Sequence, residues 1–190
     1  MHKNATSHAD LSQLFRLCHI IRWLLLAFLA VQIGFFVLSW AMAGPLTLGP
    51  VHMQINPDGM SGGAVERLSY LQRLLGMLVG VPGLVALTYG IRHLGATLTD
   101  FQAGKIFAAD TIGHLRTAAG ATIAAVVLFN IEKPLRGLVF SLASSGQNHS
   151  IAIDVTSNEL LLLLVCGMFY LMVGVMHEGR RLSEENEGFV

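Results

Sequence analysis

Four histidines are the first residues in this chain whose chemistry needs an account. His19, His93, His114 and His177 each fall near one end of a long apolar run, one histidine to each run. If those ends share one side of a membrane, the four imidazoles form a layer. Such a layer has two chemical uses. It can ligate a transition metal or a haem iron, or it can gain and lose protons near neutral pH. Local spacing supports neither use, because the chain has no HxxxH and no CxxC pair. The plainer reading is four separate interfacial histidines facing headgroups or water, and no cofactor is assigned.

Glu132 and Lys133 are the next candidates, at the far end of the third apolar run. An ionisable group inside a span is costly and is a functional candidate by default. Arg136, Arg67 and Glu66 offer them a structural alternative as ion-pair partners at the interface. No nucleophile stands at recognisable spacing from a base. There is also no phosphate-binding glycine loop, dinucleotide fingerprint or zinc-protease helix. The sequence therefore leans away from an enzyme.

Two polar segments complete the inventory. Residues 94–116 read LGATLTDFQAGKIFAADTIGHLR and separate two apolar runs. Gly104 permits a sharp turn there, beside Lys105. Ile106 and Phe107 supply an apolar anchor, and Asp110 can cap the following helix and favour its positive end. Leu115 follows on that helix. Arg116 can snorkel to headgroups or meet a carboxylate such as Glu178. The second segment is the tail HEGRRLSEENEGFV, residues 177–190, whose Arg180–Glu184 and Arg181–Glu185 pairs have helical spacing.

The elements that position these groups follow from composition. The 190 residues are 53% apolar and 13% charged, against about 25% charged in soluble domains. A zero net charge provides no basic field for nucleic acid. Apolar runs at 23–43, 71–94, 111–131 and 159–176 are long enough to cross a ~30 Å hydrocarbon core. The predicted fold is an all-α membrane protein, a single four-helix bundle. Trp23 and Trp40 bracket the first run, where indoles favour the interface. The second run carries Gly76 and Gly80 in GxxxG spacing, then Pro82, Gly83 and Gly90. Small residues allow close helix approach, here within the bundle in preference to a homo-oligomeric face. Residues 134–143 read as an extension of the third helix or a separate amphipathic one. Alternation around 51–55 and at Ile151, Ile153 and Val155 predicts two short strands that pair as a small extracytoplasmic β cap.

Lysine and arginine set the orientation. Eight lie on the side of the N-terminus, the 94–116 segment and the tail, against four on the other. Both termini are therefore expected in the cytoplasm, with the chain in a bacterial inner membrane.

The two polar segments also carry a resemblance. FQAGKIFAADTIGHLR and EGRRLSEENE are similar to motifs of the DUF2975 family, small prokaryotic four-span membrane proteins of unknown function. The matching residues are Gly104, Lys105, Phe107, Leu115 and Arg116, then Glu178, Gly179, Leu182, Glu185 and Asn186. The family often has Ser or Thr after the Phe as a helix cap. This chain has Ala108, and Asp110 is expected to take that role. The resemblance implies an integral membrane protein and, through frequent gene neighbours, a small helix-turn-helix regulator as partner. The reading is a regulatory or interaction protein that docks a partner on its hinge and tail. The alternatives are an oligomeric transporter or channel subunit, or a haem- or metal-binding membrane protein.

Overall fold

In a hydrocarbon environment every backbone N–H and C=O needs an internal partner, and a single chain segment achieves that only as a helix. The apolar runs accordingly fold as four long helices. The computed structural model describes residues 3–42, 46–48, 51–53, 57, 60, 66–105, 108–143 and 157–187. The helices are α1 (Lys3–Ala41), α2 (Tyr70–Gln102), α3 (Ala109–Ala143) and α4 (Ser157–Glu187). All four are long and apolar enough to cross a membrane, so the chain is a multi-pass membrane protein.

Each helix outruns the segment expected from hydropathy. They have 39, 33, 35 and 31 residues, where about 20 suffice to span. α2 absorbs residues 94–102, so the polar segment between α2 and α3 shrinks to a short turn. α3 runs through Pro134 without interruption to Ala143, which makes 134–143 an extension of the span. Pro82 likewise lies inside α2. Membrane helices tolerate proline because neighbouring groups satisfy the freed carbonyl.

A hairpin follows α1. β1 (Leu46–Leu48) pairs antiparallel with β2 (Val51–Met53) in the register Leu46↔Met53, Thr47↔His52 and Leu48↔Val51. Of the strand expected at 51–55, Val51–Met53 is described, and its partner is the neighbouring segment. Residues 151–155, the expected partner, lie outside the described residues. The β cap as expected is not found among the described ones.

The chain divides into two compact units. One comprises Met1–Leu29, Leu87–Ile123 and Leu163–Val190, and the other Ala30–Ala86 and Ala124–Leu162. In the first, Ile112, Leu115 and Val173 form the core, with Leu94 and Met176 packed against it. Gly90 approaches Ala118, Ala121 and Thr122 there. In the second, aromatic rings lie on bare helix backbone. Trp40 covers Gly76, Phe36 covers Gly80 and Phe129 covers Gly83. The small-residue stripe of α2 is therefore occupied by the chain's own rings. Leucines and methionines along α4, such as Leu161, Leu164, Met168 and Met172, are exposed, as acyl chains require.

Candidate functional site

The second unit holds a buried ionic centre. Glu132 and Arg136 stand four residues apart on α3, a spacing that puts both side chains on one face. Arg136 Nη1 donates to Glu132 Oε1 at 2.9 Å. Arg136 is only 4% exposed and the Glu132 side chain 13%. On its other side the guanidinium lies 5.6 Å from the centroid of the Trp40 ring, within cation–π range. Gly80 leaves room for the carboxyl, since a Cβ there would stand 3.2 Å from the Glu132 carboxyl carbon. Ser39, also buried, donates its hydroxyl to the Phe36 carbonyl at 2.8 Å. Asn130 donates to the Val126 carbonyl at 2.9 Å, while its own buried Oδ1 has no hydrogen-bond partner among the described residues.

A cavity of 290 Å³ opens beside this centre, with Gln32, Phe36, Trp40, Phe129, Glu132 and Arg136 among its lining residues. Arg136, one of the partners expected for Glu132, is the one it meets, and the pair is largely buried among neighbouring side chains. One expectation is corrected here. Trp40, 3% exposed, is not an interface anchor, because its indole is taken up by Gly76 and Arg136.

The histidines separate. His93 Nδ1 and His114 Nδ1 meet at 3.0 Å, with Tyr89 edge-on to His93 at a centroid distance of 4.5 Å. Two facing Nδ1 atoms bond only if one carries the proton and the other accepts it. His19 instead accepts from Trp23 Nε1 at 3.1 Å on its own helix, and His177 lies exposed on α4. Among the described residues, no group of three or more His, Cys, Asp or Glu side chains is placed to hold a metal ion. The expected layer of four reduces to a pair, fewer donors than a zinc site uses. Two axial ligands of one iron would need about 4 Å between nitrogens at metal–nitrogen lengths of about 2 Å. The direct contact leaves no room for a macrocycle.

No family model, curated protein or solved structure matches the chain. The resemblance to DUF2975 therefore rests on the hinge and tail residues alone, and their geometry gives several of them plain structural roles.

At the hinge, Gly104 adopts φ +75°. Its N–H bonds the Phe101 carbonyl at 3.1 Å and the Lys105 N–H bonds the Asp100 carbonyl at 3.0 Å. This is a Schellman helix end, which needs a residue without Cβ strain at the left-handed position. The Lys105 carbonyl then accepts from the Ala108 N–H at 3.4 Å and the Thr111 hydroxyl at 2.8 Å. These bonds tie the turn to the start of α3. Asp110 is not the cap. The Ala108 carbonyl accepts the first helical bond from Ile112, so Ala108 stands at the cap position and Asp110 lies in the first turn. From there its charge still complements the helix dipole. Thr111, which sequence reasoning passed over, supplies the side-chain bond. Leu115 is a core residue. Ile106 and Phe107 lie outside the described residues.

Among the described residues, Arg116 pairs with neither Glu178 nor Glu185. Its Nε donates to the Tyr170 hydroxyl at 3.4 Å, a long contact on an exposed surface. Glu178 pairs with Arg181 at 2.9 Å, and Arg181 pairs again with Glu185 at 3.3 Å. Gly179 and Leu182 are exposed on the same helix. Asn186 lies on α4, but its side chain is outside the described residues, as is that of Glu184.

Proposed function

We propose that this is a regulatory or interaction protein of the bacterial inner membrane, with both termini in the cytoplasm, that docks a partner on the tail of α4. The observation that carries this reading is the continuation of α4. Its apolar stretch ends at Leu182, yet the helix runs on to Glu187. From Glu178 to Glu187 the sequence offers four carboxylates against two guanidiniums, and Leu182 is 50% exposed. An acidic helix with an apolar knob complements a basic protein surface. The DUF2975 resemblance supplies a partner of that chemistry, a small helix-turn-helix regulator, whose nucleic-acid face is basic. Tail and DNA would then compete for one surface. The excess of lysine and arginine on the termini's side supports the orientation. The β1–β2 hairpin would stand at the opposite, outer face as the visible part of a cap.

The test is co-purification from native membranes with the full-length chain as bait. Removing residues 182–190 should lose the partner without reducing insertion. Arg116→Ala should keep it, because Arg116 contacts Tyr170 and, among the described residues, pairs with neither Glu178 nor Glu185. Retention of the partner by the truncated chain would end the docking reading. The buried ionic centre and its cavity favour a second reading, a transporter or channel subunit, which ion flux in reconstituted vesicles would reveal.

A further inference from the structure

We propose that the groove between α1 and α2 that holds Arg22 and Arg92 binds one anionic phospholipid. This goes beyond the docking reading and does not depend on it. The groove encloses a cavity of 290 Å³, with Arg22, Leu25, Leu26 and Leu29 on its α1 wall and Ile91 and Arg92 on its α2 wall. All six residues belong to the first compact unit.

The occupant follows from charge and depth. Among the described residues no carboxylate lines the cavity, and neither guanidinium has a hydrogen bond or ion pair. Arg22 borders the apolar run 23–43 and Arg92 lies inside the run 71–94. A cation at such a place is costly without an anionic partner. Trp23, next to Arg22, is 62% exposed, and an exposed indole favours the headgroup level. The leucines continue from there into the bilayer, with Leu29 roughly 10 Å deeper than Arg22. A cationic rim above an apolar wall fits a phosphate above an acyl chain. α2 crosses in the opposite direction, so Arg92 approaches the phosphate from below, its stem along the apolar wall.

The groove has room for the chain. Gly95 lines it, and a Cβ added there would meet nothing within 4 Å. The Thr99 hydroxyl, also in the lining, donates to the Gly95 carbonyl at 3.0 Å. The two guanidiniums are therefore the donors left for a headgroup. Phosphatidylglycerol brings a phosphate and no cation. The ammonium of a zwitterionic lipid would be repelled by both arginines.

Native mass spectrometry of the full-length protein in detergent tests this, with phosphatidylglycerol and phosphatidylcholine of the same chains titrated in parallel. One phosphatidylglycerol per chain should be retained, several-fold more tightly than phosphatidylcholine. Arg22→Gln and Arg92→Gln should each weaken retention about fivefold, the attraction of one basic residue for anionic lipid. Arg116→Gln removes the same charge outside the groove and should leave retention unchanged. Gly95→Leu keeps both arginines, raises helix propensity and fills the groove. It should abolish the preference without lowering the melting temperature. Excess glycerol phosphate, a headgroup without chains, should not displace the lipid. Equal retention of the two lipids, full retention by both arginine variants of the groove, an equal loss in Arg116→Gln, full retention in Gly95→Leu, or displacement by glycerol phosphate would each overturn the proposal.

Discussion

The indole of Trp40 lies on the bare backbone of Gly76, so closely that a Cβ at that position would overlap the ring. Trp40 is 3% exposed and also covers Arg136, so the ring has little freedom to yield. Gly76→Ala gains about 1 kcal/mol of helix propensity and meets an overpacking cost of about 1–3 kcal/mol. The expected net result is a lower melting temperature in detergent, restored by adding Trp40→Leu. Gly34 and Gly167 have nothing within 4 Å. Alanine at either should be neutral or stabilising, so equal behaviour at all three sites would refute the packing argument.

Arg136 and Glu132 support a double-mutant cycle. Truncating one member of a buried ion pair deprives the other of a charge partner and costs up to about 3–5 kcal/mol, whereas replacing both is often near neutral. Arg136→Met alone should therefore be strongly destabilising. Arg136→Met with Glu132→Gln should recover most of the loss. Additive losses in chemical unfolding would show that the two residues act separately.

How much of this was legible in the sequence depended on the range of the interaction. The four spans were readable because each is a continuous apolar run, and a helix is the only solution for such a run in lipid. Their ends were not. Hydropathy falls at residues 94–102, while helical hydrogen bonding continues to the Schellman end at Gly104. The Glu132–Arg136 spacing was visible, but its burial depends on Trp40, nearly a hundred positions earlier in the chain. Trp40 at the end of an apolar run looked like an interface anchor because nothing local points to Gly76. The histidine layer failed for a related reason. Sequence fixes a residue's height along its helix but not its rotation about the axis. His93 and His114 turn toward each other, and His19 turns toward Trp23.

Gly104 gives a prediction free of packing effects. It is exposed, has no atom within 4 Å of an added Cβ, and holds φ +75°. Gly104→Ala should cost about 1–2 kcal/mol, the cost of a left-handed conformation for an L-residue. Gly104→Asn should cost less, because asparagine tolerates that region. Gly113 also has open space but no positive φ, and alanine there should be tolerated. Thermal melts of the three variants in one detergent separate strain from sterics. Loss at Gly113 as large as at Gly104 would remove the helix-end explanation.

The His93–His114 pair predicts the outcome of metal loading. Two donors with their Nδ1 atoms 3.0 Å apart, and no third His, Cys, Asp or Glu grouped with them among the described residues, cannot complete a tetrahedral site. Protein incubated with zinc or cobalt and passed over a desalting column should retain no equivalent of metal that the His93→Gln or His114→Gln protein lacks. Haemin should produce no Soret band that either substitution removes. The pair should instead act in folding. His93→Phe keeps the ring contact with Tyr89 but leaves His114 without its partner, and should lower the melting temperature. His93→Gln, which can still bond Nδ1 of His114, should lower it less. One equivalent of retained metal in the parent protein, lost in both the His93→Gln and His114→Gln proteins, would restore the ligand reading of this pair.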